Sequence, residues 1–229
     1  MYGGMRSMER NCPYRGKKVG LINRTDIINY LIEKYNYKSY LEIGVQAGYN
    51  FHGVKSASKI GVDPCPCRCA ECNTKWALNK SPGIKLKVMT SNQFFDFNYK
   101  KFDIVFIDGL HTSEQVYRDF ENAARFLKKG GVILLHDMLP VKKEHQVSHY
   151  VHGHWNGDCW KAFVRLQEKY VDWKFNCIDL DEGIGFVRRT EEPLDQTLVK
   201  AELTWENFLI NRENWMKPIT WEDFKNEHR

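Results

Sequence analysis

The sequence predicts an α/β protein with a doubly wound, mostly parallel sheet that closes on an antiparallel hairpin. Two observations carry this. Short apolar runs such as SYLEIGV, SKIGVDP and FDIVFI alternate with amphipathic stretches, the pattern of βαβ units. Near the C-terminal end, two strand-like runs flank the turn Asp181-Glu182-Gly183, a hairpin signal that makes one strand antiparallel. A chain of 229 residues, 42% hydrophobic and 14% aromatic, is long enough for one full core.

In chain order, Thr25–Tyr35 places Ile27, Ile28, Leu31 and Ile32 on one helical stripe, with Asn23 or Thr25 as N-cap. SYLEIGV reads as a buried strand, a helix is expected after Gly48, and SKIGVDP is a strand stopped by Pro64. Residues 65–83 are expected to form a loop with a helical turn around Lys75–Leu78. Lys85–Met89 and Phe102–Ile107 are strands. Ser113–Leu127 is an amphipathic helix on Val116, Phe120, Ala123, Ala124 and Leu127, stopped by Lys128-Lys129-Gly130-Gly131. Val132–Leu135 is a strand, Asp158–Tyr170 a helix, and Trp173–Asp179 with Ile184–Arg188 the hairpin. The tail repeats TWENF (204–208) as TWEDF (220–224); each Thr is a helix N-cap, and the two short helices are expected to pack on the body. The expected division is 1–190 as the main domain with an N-terminal extension and 191–229 as a helical tail.

The net charge of +5 comes from mixed rather than blocked charges, so nucleic acid is not an expected partner. No run of about 18 apolar residues exists to span a membrane, and the basic N-terminus lacks the apolar core of a secretory signal. Seven cysteines, an odd number, point to reduced thiols and an intracellular (cytoplasmic) location. Four of them crowd into Cys65–Cys72. That spacing lacks the separated pairs of common zinc sites, and reactive thiols or a loop disulfide are the favoured alternatives.

Ligands of an open parallel sheet bind outside the carboxyl ends of its strands. Five successive strands here end in Glu42-Ile-Gly44-Val-Gln-Ala-Gly48, Asp63, Thr90-Ser91-Asn92, Asp108-Gly-Leu-His111 and His136-Asp137. Gly44 and Gly48 permit close backbone approach to a ligand. Asp63 has the position of an acid that accepts ribose hydroxyls. His111 has the pKa range of a general base, and Asp108 with Asp137 could share a Mg²⁺. Strand alternation aims His136 away from Asp137.

LEIGVQAGYNF, KIGVDP, VMTSNQFF and FDIVFIDGLHTSEQVYRDFENAARFLKKGGVILLHDMLP together resemble a class I S-adenosylmethionine-dependent methyltransferase. The nearest likeness is to sugar and small-molecule O-methyltransferases with a D-G-x-H element, over about residues 39–189. The resemblance implies a Rossmann-like sheet of seven strands. It also implies S-adenosylmethionine contacts: Glu42, Gly44 and Gly48 at the amino-acid and ribose end, Asp63 on the ribose, Ser91 and Asn92 beside the adenine, and Asp108 at the same rim. Gln46 stands where many such enzymes have a second glycine. Asp108 and Asp137 are implied as ligands of Mg²⁺ or another divalent metal. His136 joins them in place of a second acid, which leaves the metal's identity open.

The loop 144–155 carries His145, His149, His152 and His154 without the spacing of one tetrahedral site. It is expected to cover the substrate, with Trp155, Asn156, Asp158 and Trp160 lining an acceptor pocket. Tryptophan faces suit a sugar or glycan acceptor. The expected activity is methylation of a hydroxyl on a glycan or other small molecule. Its alternatives are a non-catalytic binding module of the same fold and a nicotinamide-dependent oxidoreductase, the latter disfavoured by the incomplete glycine pattern. The aromatic tail is compatible with a homodimer.

Overall fold

In the computed structural model, which describes residues 22–66, 82–191 and 197–228, the alternation resolves into eight strands. They are β1 (Ser39–Ile43), β2 (Ser58–Val62), β3 (Ile84–Lys87), β4 (Phe102–Ile107), β5 (Leu127–Leu135), β6 (Trp173–Ile178), β7 (Ile184–Arg189) and β8 (Pro218–Ile219). Their order is β3-β2-β1-β4-β5-β7-β6-β8. The ladders from β3 to β5 are parallel, and β7 runs antiparallel to both neighbours. The α/β class and the antiparallel hairpin strand are therefore as expected. The count of seven is corrected to eight, because Pro218 and Ile219 pair in parallel with Cys177 and Ile178.

Among the described residues, seven α-helices connect and cover the strands: α1 (Arg24–Tyr35), α2 (Tyr49–Gly53), α3 (Ser91–Phe97), α4 (Ser113–Arg125), α5 (Cys159–Lys169), α6 (Trp205–Met216) and α7 (Trp221–Glu227). No described helix is long and apolar enough to cross a membrane. Alternation along the central strands feeds two cores, one on each face of the sheet. Leu41, Ile43, Val105, Ile107, Ile133 and Leu135 meet α4 and α5 through Val116, Phe120 and Phe163. Tyr40, Ile104, Phe106, Val132 and Leu134 meet Ile27, Ile28 and Leu31 of α1 and Phe224 of α7.

Helix α1 starts in a capping box, with Asn23 accepting from the helix and Asp26 reaching back to the cap amide. It stops where Asn36 turns left-handed (φ 54°). Helix α3 escaped the sequence reading, although Thr90 and Gln93 form a capping box of the kind that marks a helix start. Helix α4 ends at Arg125 rather than Leu127. The Lys128–Gly131 segment belongs to β5, where the register shifts between Phe102 and Ile104 and Gly130 is left-handed.

In the tail, Thr204 and Thr220 cap α6 and α7 by accepting from the amides of Asn207 and Asp223, each at 3.2 Å. Phe208, Trp215 and Phe224 are buried against the body. The helical turn expected at 75–78 and the cysteine cluster beyond Cys65 lie outside the described residues, as does the N-terminal extension up to residue 21. Cys65 itself is an exposed free thiol.

Candidate active site

The strand ends are drawn to one rim by backbone contacts. Gly44 N–H donates to Val62 O, Asp108 N–H to Ile43 O and His136 N–H to Ile107 O, at 2.8–3.0 Å. Gly44 has φ +83°, and a Cβ there would lie 1.9 Å from Asp108 O, so only glycine lets the first and fourth strand ends meet this closely. Gln46 adopts φ 45°, the conformation a second glycine would supply. Its amide donates to Asp63 Oδ2 at 2.7 Å, as does that of Val45 at 3.0 Å. Asp63 Oδ1 accepts from Cys65 N–H at 2.7 Å. Asp63 thus ties down the glycine loop, a task separate from the ribose contact expected of it.

Glu42 is buried, accepting from the Tyr40 hydroxyl and, at 3.0 Å, from Asn50 Nδ2. Burial pushes its carboxyl up to about 8 against those hydrogen bonds. The folded value lies above the ordinary 4.5, so the unfolded chain releases a proton that the folded chain retains. Stability from this group is therefore lost as pH rises from 4.5 through about 8. Glu42→Gln is expected to remove that loss. Urea unfolding at pH 5 and 8.5 should show the wild type weakening relative to the variant, and an equal response in both would assign the slope to other groups.

Ser91 and Asn92 stand together at the start of α3. Gln115 Nε2 lies 3.2 Å from Ser91 Oγ, 3.3 Å from Asn92 Oδ1 and 2.9 Å from Asp119 Oδ1. Gln115 and Asp119 were not singled out in the sequence. Burial raises the Asp119 carboxyl to about 6.

Asp108, His111, His136 and Asp137 converge. His111 Nε2 lies 3.4 Å from both Asp108 Oδ1 and Asp137 Oδ2. His111 Nδ1 is 3.2 Å from Trp155 O, a contact that places a proton on Nδ1 and makes Nε2, which faces the carboxylates, the nitrogen that gains or loses the second proton. Burial opposes the charged imidazole, but the hydrogen bond it donates to Asp108 and the field of Asp137 raise the His111 pKa above its ordinary value.

The expectation that His136 points away from Asp137 is corrected. Asp137 leaves the strand with φ 65°, so alternation stops at His136. Its Nδ1 lies 2.8 Å from Asp137 Oδ2 and 3.2 Å from Asp108 Oδ1, and its Nε2 donates to Asp181 O at 2.8 Å. Burial disfavours the charged ring, yet the two carboxylates raise its pKa to about 10. Both ring nitrogens of His136 are thus engaged, Nδ1 by the carboxylates and Nε2 by the Asp181 carbonyl. Despite burial, His136 and Arg24 hold the Asp108 carboxyl well below the usual carboxylate range.

Among the described residues, Asp108, His111 and Asp137 form the one group whose ligand atoms all lie within 4.8 Å of one another. Two carboxylate oxygens and one imidazole nitrogen fit a divalent transition metal, and the carboxylates alone fit Mg²⁺. His136, the third member of the expected metal set, lies beside the same two carboxylates, and His111 joins them in this grouping.

Sequence reasoning missed Arg24. Its Nη1 donates to Asp108 Oδ2 at 2.6 Å, while Nε and Nη2 donate to Asp181 Oδ2 and Oδ1 at 2.8 and 3.0 Å. A cation in the first turn of a helix opposes the macrodipole, and that mismatch was the available signal.

The expected acceptor pocket is corrected in part. Trp155 stacks on His111, ring centres 4.8 Å apart. Asn156 is fully buried, with Nδ2 donating to Asp137 Oδ1 at 2.8 Å. Asp158 caps α4, accepting from Ser113 N–H at 2.7 Å, because its carboxylate satisfies an amide left orphaned at that helix start. Trp160 lies in the core against Trp215 and Phe208. In the histidine loop, His145 stacks on His154, and His154 Nε2 is 2.6 Å from Glu182 Oε2.

A family model described as a methyltransferase domain matches residues 41–138, the span from β1 through Asp137. The span so matched resembles a methyltransferase domain and holds the whole rim from Glu42 to Asp137. The enzyme class is accordingly that of the S-adenosylmethionine-dependent methyltransferases. The domain's fold is shared with a Podospora anserina methyltransferase bound to S-adenosylhomocysteine (TM-score 0.57, 14% identity, covering 73% of this chain and 78% of that one). It is also shared with a Bacillus cereus O-methyltransferase in complex with S-adenosylhomocysteine (0.53, 17%, 74% and 81%). A third likeness is the O-methyltransferase TomG from Streptomyces achromogenes, involved in tomaymycin synthesis and in complex with S-adenosylmethionine (0.57, 13%, 72% and 79%). The matched span ends where the carboxylate and histidine cluster is complete, and Trp155 and Asn156 reach His111 and Asp137 from outside it.

Proposed function

We propose that this methyltransferase acts on a hydroxyl oxygen of a small molecule, with a sugar or glycan hydroxyl as the leading acceptor, and that a divalent cation assists. The observation that carries this reading is the convergence of Asp108 Oδ1 and Asp137 Oδ2 on His111 Nε2, each at 3.4 Å. In the reaction the bond from sulfonium to methyl breaks as the bond from oxygen to methyl forms, and the acceptor must lose its proton. His111 is the residue we assign to take it, since Trp155 O fixes Nδ1 and leaves Nε2 free to accept. Asp108 and Asp137 would hold the cation, which when bound supplies Lewis-acid polarisation of the acceptor oxygen. Trp155, stacked on His111, offers a flat face to the acceptor.

Gly44, Gly48, Asp63, Ser91 and Asn92 are the assigned cofactor contacts, with Glu42 and Asp108 beside them. The assignment is supported by their positions at the carboxyl ends of β1 to β4, the edge at which this class of sheet binds ligands. The unit is assigned to 1–190 and the helical tail to 191–229; the packing of the tail on the unit is supported by the stacking of Trp215 on Trp160.

A second reading makes His111 the third metal ligand, favoured by the 4.8 Å grouping of all three side chains. Metal removal and replacement separates the two. With labelled S-adenosylmethionine and a panel of sugars and phenols, we expect acceptor-dependent formation of S-adenosylhomocysteine that EDTA abolishes. Restoration by Mg²⁺ as well as Mn²⁺ favours His111 as base, and restoration by Mn²⁺ or Co²⁺ alone favours it as ligand. Full turnover after exhaustive chelation would remove the metal from the mechanism.

A further inference from the structure

Each of the two cluster carboxylates has one oxygen turned inward and one held from outside. Asp108 Oδ1 and Asp137 Oδ2 face His111, and His136 Nδ1 stands 3.2 and 2.8 Å from the same two oxygens. The outer oxygens go elsewhere: Asp108 Oδ2 accepts from Arg24 Nη1 at 2.6 Å, and Asp137 Oδ1 accepts from Asn156 Nδ2 at 2.8 Å. The two holders are anchored to adjacent residues of the β6–β7 hairpin turn, Arg24 to Asp181 and Asn156 to Glu182. Asp181 takes the Arg24 fork through Nε and Nη2 and also accepts the Arg24 amide at 2.8 Å. Glu182 Oε2 accepts from Asn156 Nδ2 at 3.3 Å and from His154 Nε2 at 2.6 Å. Asp181 and Glu182 are both left-handed, at φ 47° and 66°, the backbone of a tight hairpin turn that fixes the direction of successive side chains.

We infer that Arg24 is a positioning residue that sets the Asp108 carboxylate for the divalent cation, and that Asp181 aims it. This rests on the metal-assisted reading above. A guanidinium is a planar fork that can satisfy Asp181 with one edge and Asp108 with the remaining nitrogen; an ammonium carries the same charge without that geometry. Partners that orient ligating carboxylates typically change metal affinity by about 10- to 100-fold when altered. A positioning role therefore makes a charge-conserving substitution costly, whereas a purely charge-neutralising role does not.

The test is Mn²⁺ binding to the full chain, followed by calorimetry or by loss of the free-ion EPR signal, in the wild type, Arg24→Lys, Asp181→Asn and the double variant. Thermal melts of each confirm folding. Arg24→Lys is expected to weaken Mn²⁺ binding by about 10-fold or more. Asp181→Asn should act in the same direction, and the double variant should be little worse than Arg24→Lys alone, because both substitutions break one chain of contacts. Wild-type affinity in Arg24→Lys, or simple addition of the two effects, overturns the assignment while leaving the metal site standing. If the wild type itself binds no Mn²⁺, the metal-assisted reading fails and this inference fails with it. Should Arg24→Lys fail to fold, Asp181→Asn alone decides: unchanged Mn²⁺ affinity overturns the aiming role and the inference built on it.

Discussion

His111→Ala is expected to lower kcat by about 10²- to 10⁴-fold, the span of general-base contributions, with cofactor affinity preserved. The imidazole lies at the meeting point of Asp108 and Asp137, pinned by the Trp155 carbonyl and stacked on the Trp155 ring. The two carboxylates raise its pKa above the ordinary histidine value of 6.5, so the proton-accepting form grows as pH rises through a value higher than 6.5. The wild-type rate should climb over that interval, and the limb should vanish in the alanine variant. A bound cation at the same carboxylates would lower the pKa again, so the limb should move to lower pH when metal is added. Retention of most of the rate with an unchanged pH profile would remove His111 from proton transfer.

Gly44→Ala is expected to be among the most damaging single methyl groups that can be added at the site. A Cβ at this position would lie 1.9 Å from Asp108 O and 2.4 Å from Asp108 C. No side-chain rotation relieves a collision with backbone. The left-handed conformation at φ +83° adds about 1–2 kcal/mol for any residue with a Cβ, and overpacking adds about 1–3 kcal/mol. A total loss of about 2–5 kcal/mol should appear as a lowered urea midpoint. Because the displaced backbone is that of Asp108, S-adenosylhomocysteine and metal binding should weaken together. A variant within about 0.5 kcal/mol of the wild type would show that the rim can relax by moving the two strand ends apart.

The sheet and much of the rim were legible because their signals are local. Alternating apolar runs mark β1, β2 and β4, and the residue after each strand must lie at the same end of a parallel sheet. Asp108, His111, His136 and Asp137 could therefore be placed near one another from their positions alone. Side-chain direction was not legible at His136, because the left-handed backbone of Asp137 ends the strand period one residue earlier than the apolar run implies. Arg24 and Asp181 stand 157 positions apart, and neither carries a local pattern that connects it to Asp108. Asp158 illustrates the reverse error. A carboxylate beside Trp155 and Asn156 looked like a substrate contact, yet the structure uses it on the orphan amide of Ser113. Strand β8 is two residues long, too short for any period to reveal.

That two-residue strand also governs how the sheet meets other chains. Beyond β6, the last strand offers only Pro218 and Ile219, and proline has no N–H with which to extend a ladder. At the opposite end, β3 presents the exposed Lys85 and Lys87, whose charges would crowd against those of an incoming identical strand. Among the described strands, both margins of the sheet thus discourage growth by addition of another strand. Contact between two copies would have to use side-chain surfaces of helices and loops. A concentrated solution of the folded chain should accordingly resist edge-to-edge fibre formation even though its central strands are almost wholly apolar.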